Sequence, residues 1–167
     1  VAIMTNQGSA CYARGEYRHA IQWNEQAGAL GQDLAGDGYF LLGNLALVHA
    51  MLGHTVIAEN LYTEALVLVK SAGDLRAESS VLGDMGLLHY DQGRYDSAYT
   101  LHQQALSLSR ALGDHYAEGD DLINLGLALQ ALGQIDAAAA SFQDAYCVAA
   151  SIGNRQGMAY ALGNQGR

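Results

Sequence analysis

The chain has 167 residues, half of them hydrophobic, and a formal net charge of −9. Its eight Lys and Arg residues are scattered from Arg14 to Arg167, with Lys70 the single lysine. The clustered positive charge that phosphate binding needs is therefore absent, which excludes nucleic acid as a partner. No apolar run approaches the ~20 residues of a membrane-spanning helix, and the absence of proline suits a chain made almost wholly of helices.

Taken in order, the chain repeats itself every 40 residues: Gly53, Gly93 and Gly133 keep that step, as do Ala58, Ala98 and Ala138. A fixed period of this size marks a stack of supersecondary units. Residues 1–38 form the irregular unit, since Gly15 to Gly53 is 38 residues; its first helix carries Asn6, Gly8 and Tyr12, and its second Ala20 and Ala27. Residues 39–78 bring Leu42-Gly43-Asn44 and Ala46 on a first helix ending near Gly53, then Ala58, Tyr62 and Ala65, then the turn Gly73-Asp74. In residues 79–118, Leu82, Met85, Gly86 and His89 follow helical spacing and make one apolar stripe. Gly93 ends that helix. The second helix lines up Ala98, Leu101, Ala105 and Leu108, Gly113 closes it, and Asp114 is placed to cap the next. Residues 119–158 repeat the scheme with Leu122-Ile123-Asn124, Gly126, Gly133, Ala138, Phe142, Ala145 and Gly153-Asn154. Residues 159–167 open a fifth unit with Leu162-Gly163-Asn164, in which Leu162 is expected to face the stack. The pattern predicts one all-α array of nine helices over residues 1–167, with no sheet.

The glycines are ordered by this period. Eight fall in turns, Gly36 among them, while the columns Gly8/Gly86/Gly126/Gly166 and Gly43/Gly83/Gly163 are expected to let neighbouring backbones approach closely. Cys11 and Cys147 sit in the first and last full units, too far apart in a stack of helices spaced ~8–10 Å for a disulfide. Free thiols fit a reducing compartment, and a cytoplasmic protein is expected. The chain opens at Val1 and stops in mid-pattern at Arg167, so it is expected to be an excerpt of a longer protein. Val1 to Met4 at one end and Leu162 at the other form complementary uncovered surfaces, which predicts weak head-to-tail self-association.

These columns resemble the tetratricopeptide repeat (TPR) family. The small residues Gly8/Ala46/Gly86/Gly126, the turn glycines Gly15/Gly53/Gly93/Gly133 and the alanines Ala20/Ala58/Ala98/Ala138 and Ala27/Ala65/Ala105/Ala145 carry the likeness, with Tyr62 and Phe142 at the aromatic place. The period departs from the family's usual 34 residues, and the proline that often ends the unit is missing. Longer units with Leu-Gly-Asn and Gly-Asp look like the Pins and kinesin light chain subclass, and like TPR domains of large bacterial regulators. The resemblance implies a right-handed superhelix of antiparallel helix pairs whose first helices line a concave groove. It also implies that Asn6, Asn44, Asn124 and Asn164, with Asp84 as the variant rung, hold the backbone of an extended peptide.

The residues sharing that off-core face are Tyr12; Phe40, Leu47 and Met51; Ser80, Leu87, Tyr90, Asp91 and Arg94; and Asp120, Leu127 and Gln130, with Tyr160 nearby. An amide or carboxylate at each rung, flanked by apolar side chains, suits an extended peptide; the alternative is that each Asn braces its own stack. The six histidines show no metal spacing: His49 and His89 should lie one repeat apart, roughly 15–20 Å. Asp120-Asp121 diverge by about 100° on a helix and are expected to be solvated or to sit at a helix N-terminus. No catalytic constellation, metal or cofactor is expected. The expected function is binding of a protein or peptide; the alternatives are a sensor or scaffold segment of a larger signalling or transcriptional regulator, and a self-assembling structural repeat.

Overall fold

In the computed structural model, residue 7 and residues 10–30 and 38–165 are described. After a helical segment at residues 10–13, the helices run α1 (Tyr17–Leu30), α2 (Gly38–Met51), α3 (Thr55–Ala72), α4 (Leu75–Asp91), α5 (Tyr95–Leu112), α6 (His115–Ala131), α7 (Ile135–Ser151) and α8 (Arg155–Gln165). No strand occurs among the described residues. The fold is all-α and solenoid-like: α1, α2 and α3 pack in sequence in the first unit, α5 to α8 do so in the second, and from α2 onward the turns are two or three residues long. Contacts divide the chain into two compact units, Val1–Ala77 and Glu78–Arg167, with the boundary inside α4. Helices α4, α6 and α8 begin three or four residues before the repeat boundaries drawn at 78, 118 and 158, because the cap lies in the preceding turn.

The turns follow from local chemistry. Gly113 adopts φ +64°, a conformation costly for any residue with a Cβ. Its N–H reaches the Arg110 carbonyl at 3.1 Å and the Asp114 N–H reaches Ser109 at 2.9 Å, closing α5. Asp114 then turns to the next helix, accepting from the Ala117 N–H at 3.2 Å. Asp74 and Asn154 do the same for Ala77 and Gly157, both at 3.0 Å. One dipeptide thus ends one helix and starts another. Gly36, Gly8 and Gly166 lie outside the described residues.

In the first unit, Cys11, Ala20 and Val48 are buried together, with Tyr12, Tyr17, Ile21, Trp23 and Leu52 packed around them. The alanine columns are buried wherever their side chains are described, at Ala20, Ala58, Ala65, Ala98, Ala105, Ala138 and Ala145. In the second unit, Leu106, Leu122, Ile123, Leu125, Leu129, Phe142 and Ala161 form the core of α5 to α8.

The small-residue column works differently from the expectation of backbone approaching backbone. What faces Gly126 is the ring of Phe142, which a Cβ there would meet at 2.5 Å. Gly86 faces the His102 ring, at 2.6 Å from the same hypothetical atom. The glycine of one helix makes a seat for a ring of the next. The tripeptide glycines are open instead: nothing lies within 4 Å of a Cβ at Gly43 or Gly163, and at Gly83 the nearest atom is an Asp121 carboxylate oxygen at 3.8 Å. Leu162 also departs from expectation. It is 53 % exposed while Ala161 is buried against the core, although its counterparts Leu82 and Leu122 are buried. Val1 to Met4, the other surface invoked for head-to-tail association, lie outside the described residues.

His102 holds the aromatic place that Tyr62 and Phe142 hold elsewhere, and all three are buried. Burial lowers its pKa to about 4, and its Nδ1 has no hydrogen-bond partner among the described residues. The ring is thus neutral in the fold; the stability this represents is present above pH ~6.5 and is lost as pH falls toward about 4. His102→Phe should therefore raise stability by ~1–3 kcal/mol at neutral pH by removing an unpaired buried nitrogen. The gain over the parent should widen from pH 7 to pH 5, as read by urea midpoints at both; an equal or smaller gain at pH 5 would contradict the packing role.

Cys11 is buried and Cys147 exposed, both as free thiols. Thiol titration is expected to find one fast-reacting group in the native chain and two after denaturation.

Candidate functional site

The residues expected to bind lie on the first helices of the repeats. In the first unit, Asn44 and Leu47 are half-buried on α2 and Phe40 is exposed there, its ring 4.2 Å from that of Tyr39. Met51 is exposed at the end of that helix. The ring of Tyr12 packs 5.8 Å from that of Tyr17, across the Gly15 turn. Asn6 lies outside the described residues.

In the second unit, α4 carries half-buried Asp84 and exposed Leu87 and Asp91. Tyr90 is half-buried and packs across the Gly93 turn against Tyr95, with ring centres 5.3 Å apart and planes inclined at 59°. Tyr90 therefore braces a turn, as Tyr12 does at the matching place in the first repeat. On α6, Asp120 is exposed, Asn124 is half-buried, and Leu127 packs against the hydrophobic core. On α8 the Asn164 amide donates to the Tyr160 carbonyl at 3.0 Å, one turn back in its own helix. That bond belongs to the bracing alternative, and it leaves the Asn164 carbonyl oxygen for another donor.

Two of these residues come together around a cavity. Asp120 and Asn124 line a recess of ≈460 Å³ with Tyr116 and Ile123 from α6, and with Asn154, Gln156, Gly157 and Tyr160 from α8 and its cap. The helical period explains the grouping: residues 116, 120 and 124 are successive steps of four on one face, and 156 and 160 repeat them 40 residues on. Tyr116 and Tyr160 stand at its rim, 62 % and 60 % exposed. Tyr116 is not among the expected residues; the signal for it is its place one turn before Asp120 on the same face. A second recess of ≈740 Å³, lined mainly from α5, α6 and α7, holds none of the expected residues.

The electrostatics of this region are acidic. Partial burial first, and Asp114 second, raise the Asp120 carboxyl above its ordinary value. Burial raises Asp84 to about 6. No Lys, Arg or His lines the recess. On α5 and α6, Arg110 and the His115 ring both meet Glu118, at 2.9 and 3.1 Å.

Asp121 corrects the expectation that the Asp pair is solvated. It is only 7 % exposed and accepts from the Ser109 hydroxyl at 2.7 Å. Ser109 in turn lies 2.9 Å from the Ser79 hydroxyl, so the three residues tie α4, α5 and α6 together inside the second unit. Burial raises Asp121 to about 7, opposed by the Ser109 bond and reinforced by Asp120 and Asp114. A carboxyl with a raised folded-state pKa favours the fold when protonated. That contribution is complete below pH ~4 and lost as pH rises through about 7. Asp121→Asn, which retains an acceptor for Ser109, should match the parent at about pH 3.5, below the unfolded carboxyl's ordinary value. At pH 8 it should be more stable by on the order of 1–3 kcal/mol. Urea denaturation at both pH values checks this, and an unchanged difference between them would contradict it.

Residues 77–151 match the tetratricopeptide repeat family model. No curated protein matches the chain. Among solved structures, the crystal structure of BtubC (BKLC) from P. vanneervenii is similar at TM-score 0.83 and 23 % identity, over 91 % of this chain and 64 % of that one. A Rap protein complexed with Competence and Sporulation Factor is similar at TM-score 0.80 and 19 % identity, over 97 % of this chain and 46 % of that one. A putative kinesin light chain from Podosopora anserina with nearly identical TPR-like repeats gives TM-score 0.76 and 14 % identity, over 99 % and 86 %. At these identities the likeness is one of fold. The chain spans under two thirds of BtubC and under half of the Rap protein.

Proposed function

We propose that this chain is a protein-interaction module that holds an extended segment of a partner protein or peptide along its first helices. The observation that carries the reading is the recess between α6 and α8, where the rung residue Asn124 stands among groups that alter from repeat to repeat. Along the chain one column is nearly constant (Asn44, Asp84, Asn124, Asn164), whereas the column four residues before it reads Phe40, Ser80, Asp120, Tyr160. A constant polar rung suits the main chain of a ligand, which is the same whatever its sequence. The varying neighbours suit its side chains. The similar fold of the Rap protein, crystallised in complex with Competence and Sporulation Factor, supports the use of this scaffold for binding.

A second reading, a sensor or scaffold segment of a larger regulator, is favoured by one observation: the chain covers only part of BtubC and of the Rap protein. The two readings share the binding surface and differ in where the ligand comes from, a separate protein or the remainder of the same one. Leu162 offers a further apolar contact for assembly, separate from the groove.

The Asn44→Ala plus Asn124→Ala variant should abolish partner binding while shifting melting little. Half-buried amides on the first helices contribute modestly to folding, whereas each unpaired peptide group of a bound ligand costs ~1–3 kcal/mol. Pull-down of the partner alongside a thermal melt separates the outcomes, and a variant that unfolds would assign the amides to the stack instead.

A further inference from the structure

We infer that the recess between α6 and α8 is a specificity pocket for a lysine or arginine side chain of the bound segment, with Asp120 as its counter-ion and Tyr116 and Tyr160 as its walls. The inference rests on the groove reading and adds to it the chemistry of one ligand position. Three independent features lead to it. The first is volume: ≈460 Å³ exceeds what the rung residue needs to meet a backbone and leaves room for one long side chain. The second is the pair of tyrosines, 62 % and 60 % exposed, one from each wall. Large rings left this exposed in a chain that buries Tyr62 and Phe142 completely are not core material, and aromatic faces attract cations. The third is charge. The only ionisable carboxylate lining the recess is Asp120, no basic side chain lines it, and the chain as a whole carries −9.

Asp120 is costly as it stands. Its partial enclosure and the neighbouring Asp114 both work against the charged form, and no cation of the recess offsets them. An incoming ammonium or guanidinium supplies that missing partner. An anion is the poorer occupant, although α8 begins at the recess: Asn154 already accepts from the Gly157 N–H at 3.0 Å, which uses one donor of that helix end. A neutral apolar side chain would leave the carboxylate beside it without compensation.

The probe is a library of random displayed dodecapeptides, selected separately on the parent chain and on Asp120→Asn. Because Asp120 is exposed and its charge is unfavourable where it sits, the variant is expected to melt at or slightly above the parent. On the parent, Lys or Arg should be enriched at one register at least about fivefold. One selected peptide should lose about tenfold in affinity either when its arginine is replaced by citrulline or when Asp120→Asn is used, and no further loss should follow from combining the two. Tyr160→Ala should weaken the same peptide and leave citrulline peptides unaffected. Peptides recovered with no basic preference, or with Asp or Glu enriched at that register, overturn the cation pocket and leave the groove reading standing. If no peptide is recovered, the groove reading fails. The pocket is then decided by titrating N-acetyl-argininamide against its citrulline analogue while following the Tyr116, Asp120 and Gly157 amide resonances; equal shifts from both would overturn it.

Discussion

The second unit depends on one contact made twice: a ring of a second helix resting on a glycine of the first. Phe142 on Gly126 and His102 on Gly86 leave no room for a single additional carbon. A helix otherwise loses up to ~1 kcal/mol for each glycine it carries in place of alanine. Here the loss is offset because the ring comes close enough to be buried completely, and a buried aromatic contributes several times that amount. The same contact sets how near the two helices lie, and hence where the outer face of the first helix points. In the first unit Ala46 and Tyr62 occupy the matching positions and are likewise buried.

Once that distance is set, the columns sort themselves. Positions facing the second helix stay buried although their residue types differ between repeats, and positions on the outer face are free to change. The Asp121, Ser109 and Ser79 group shows how far a closed column can be altered. Asp121 stands where Leu41, Val81 and Ala161 stand in other repeats, and Ser109 where Val69 and Ala149 stand. Two apolar columns have turned polar together, and the hydroxyl and carboxyl bond each other at 2.7 Å. A carboxyl placed in either column alone would be buried without a partner, at a cost of ~1–3 kcal/mol or more. The joint change avoids most of that and leaves a residual sensitivity to pH.

Much of this was legible in the sequence. The turn glycines, the capping Asp and Asn residues and the alanine columns are required by local geometry, so they recur at a fixed step and can be read by position alone. Other features lie beyond what the repeat period alone gives. Asp120 and Asp121 read as one solvated pair because adjacent acidic residues suggest a surface, whereas the column of Leu41, Val81 and Ala161 places Asp121 inside. The open tripeptide glycines were grouped with the seated ones, because period alone does not tell which side of the helix a small residue faces. The packing of the Tyr90 ring on Tyr95 across a turn is a pairing that needs the partner at position 95 to be noticed. The cavity itself needs two helices at a defined spacing, which no single segment specifies.

The electrostatic pattern separates the aspartates of the second unit by environment. Asp84, Asp120 and Asp121 are all raised above ordinary carboxyl values, with burial the largest cause in each. Asp121 is answered by a hydroxyl from within the fold. Asp120 has no such answer, and it is the one that lines a recess. A folded chain that keeps an uncompensated charge at a concave place holds back interaction energy that a ligand of opposite charge can recover. The same reasoning separates the two neighbouring aspartates by role although they adjoin in sequence. About 100° of helical rotation turns one into a brace between helices α4 to α6 and the other into the lining of the recess.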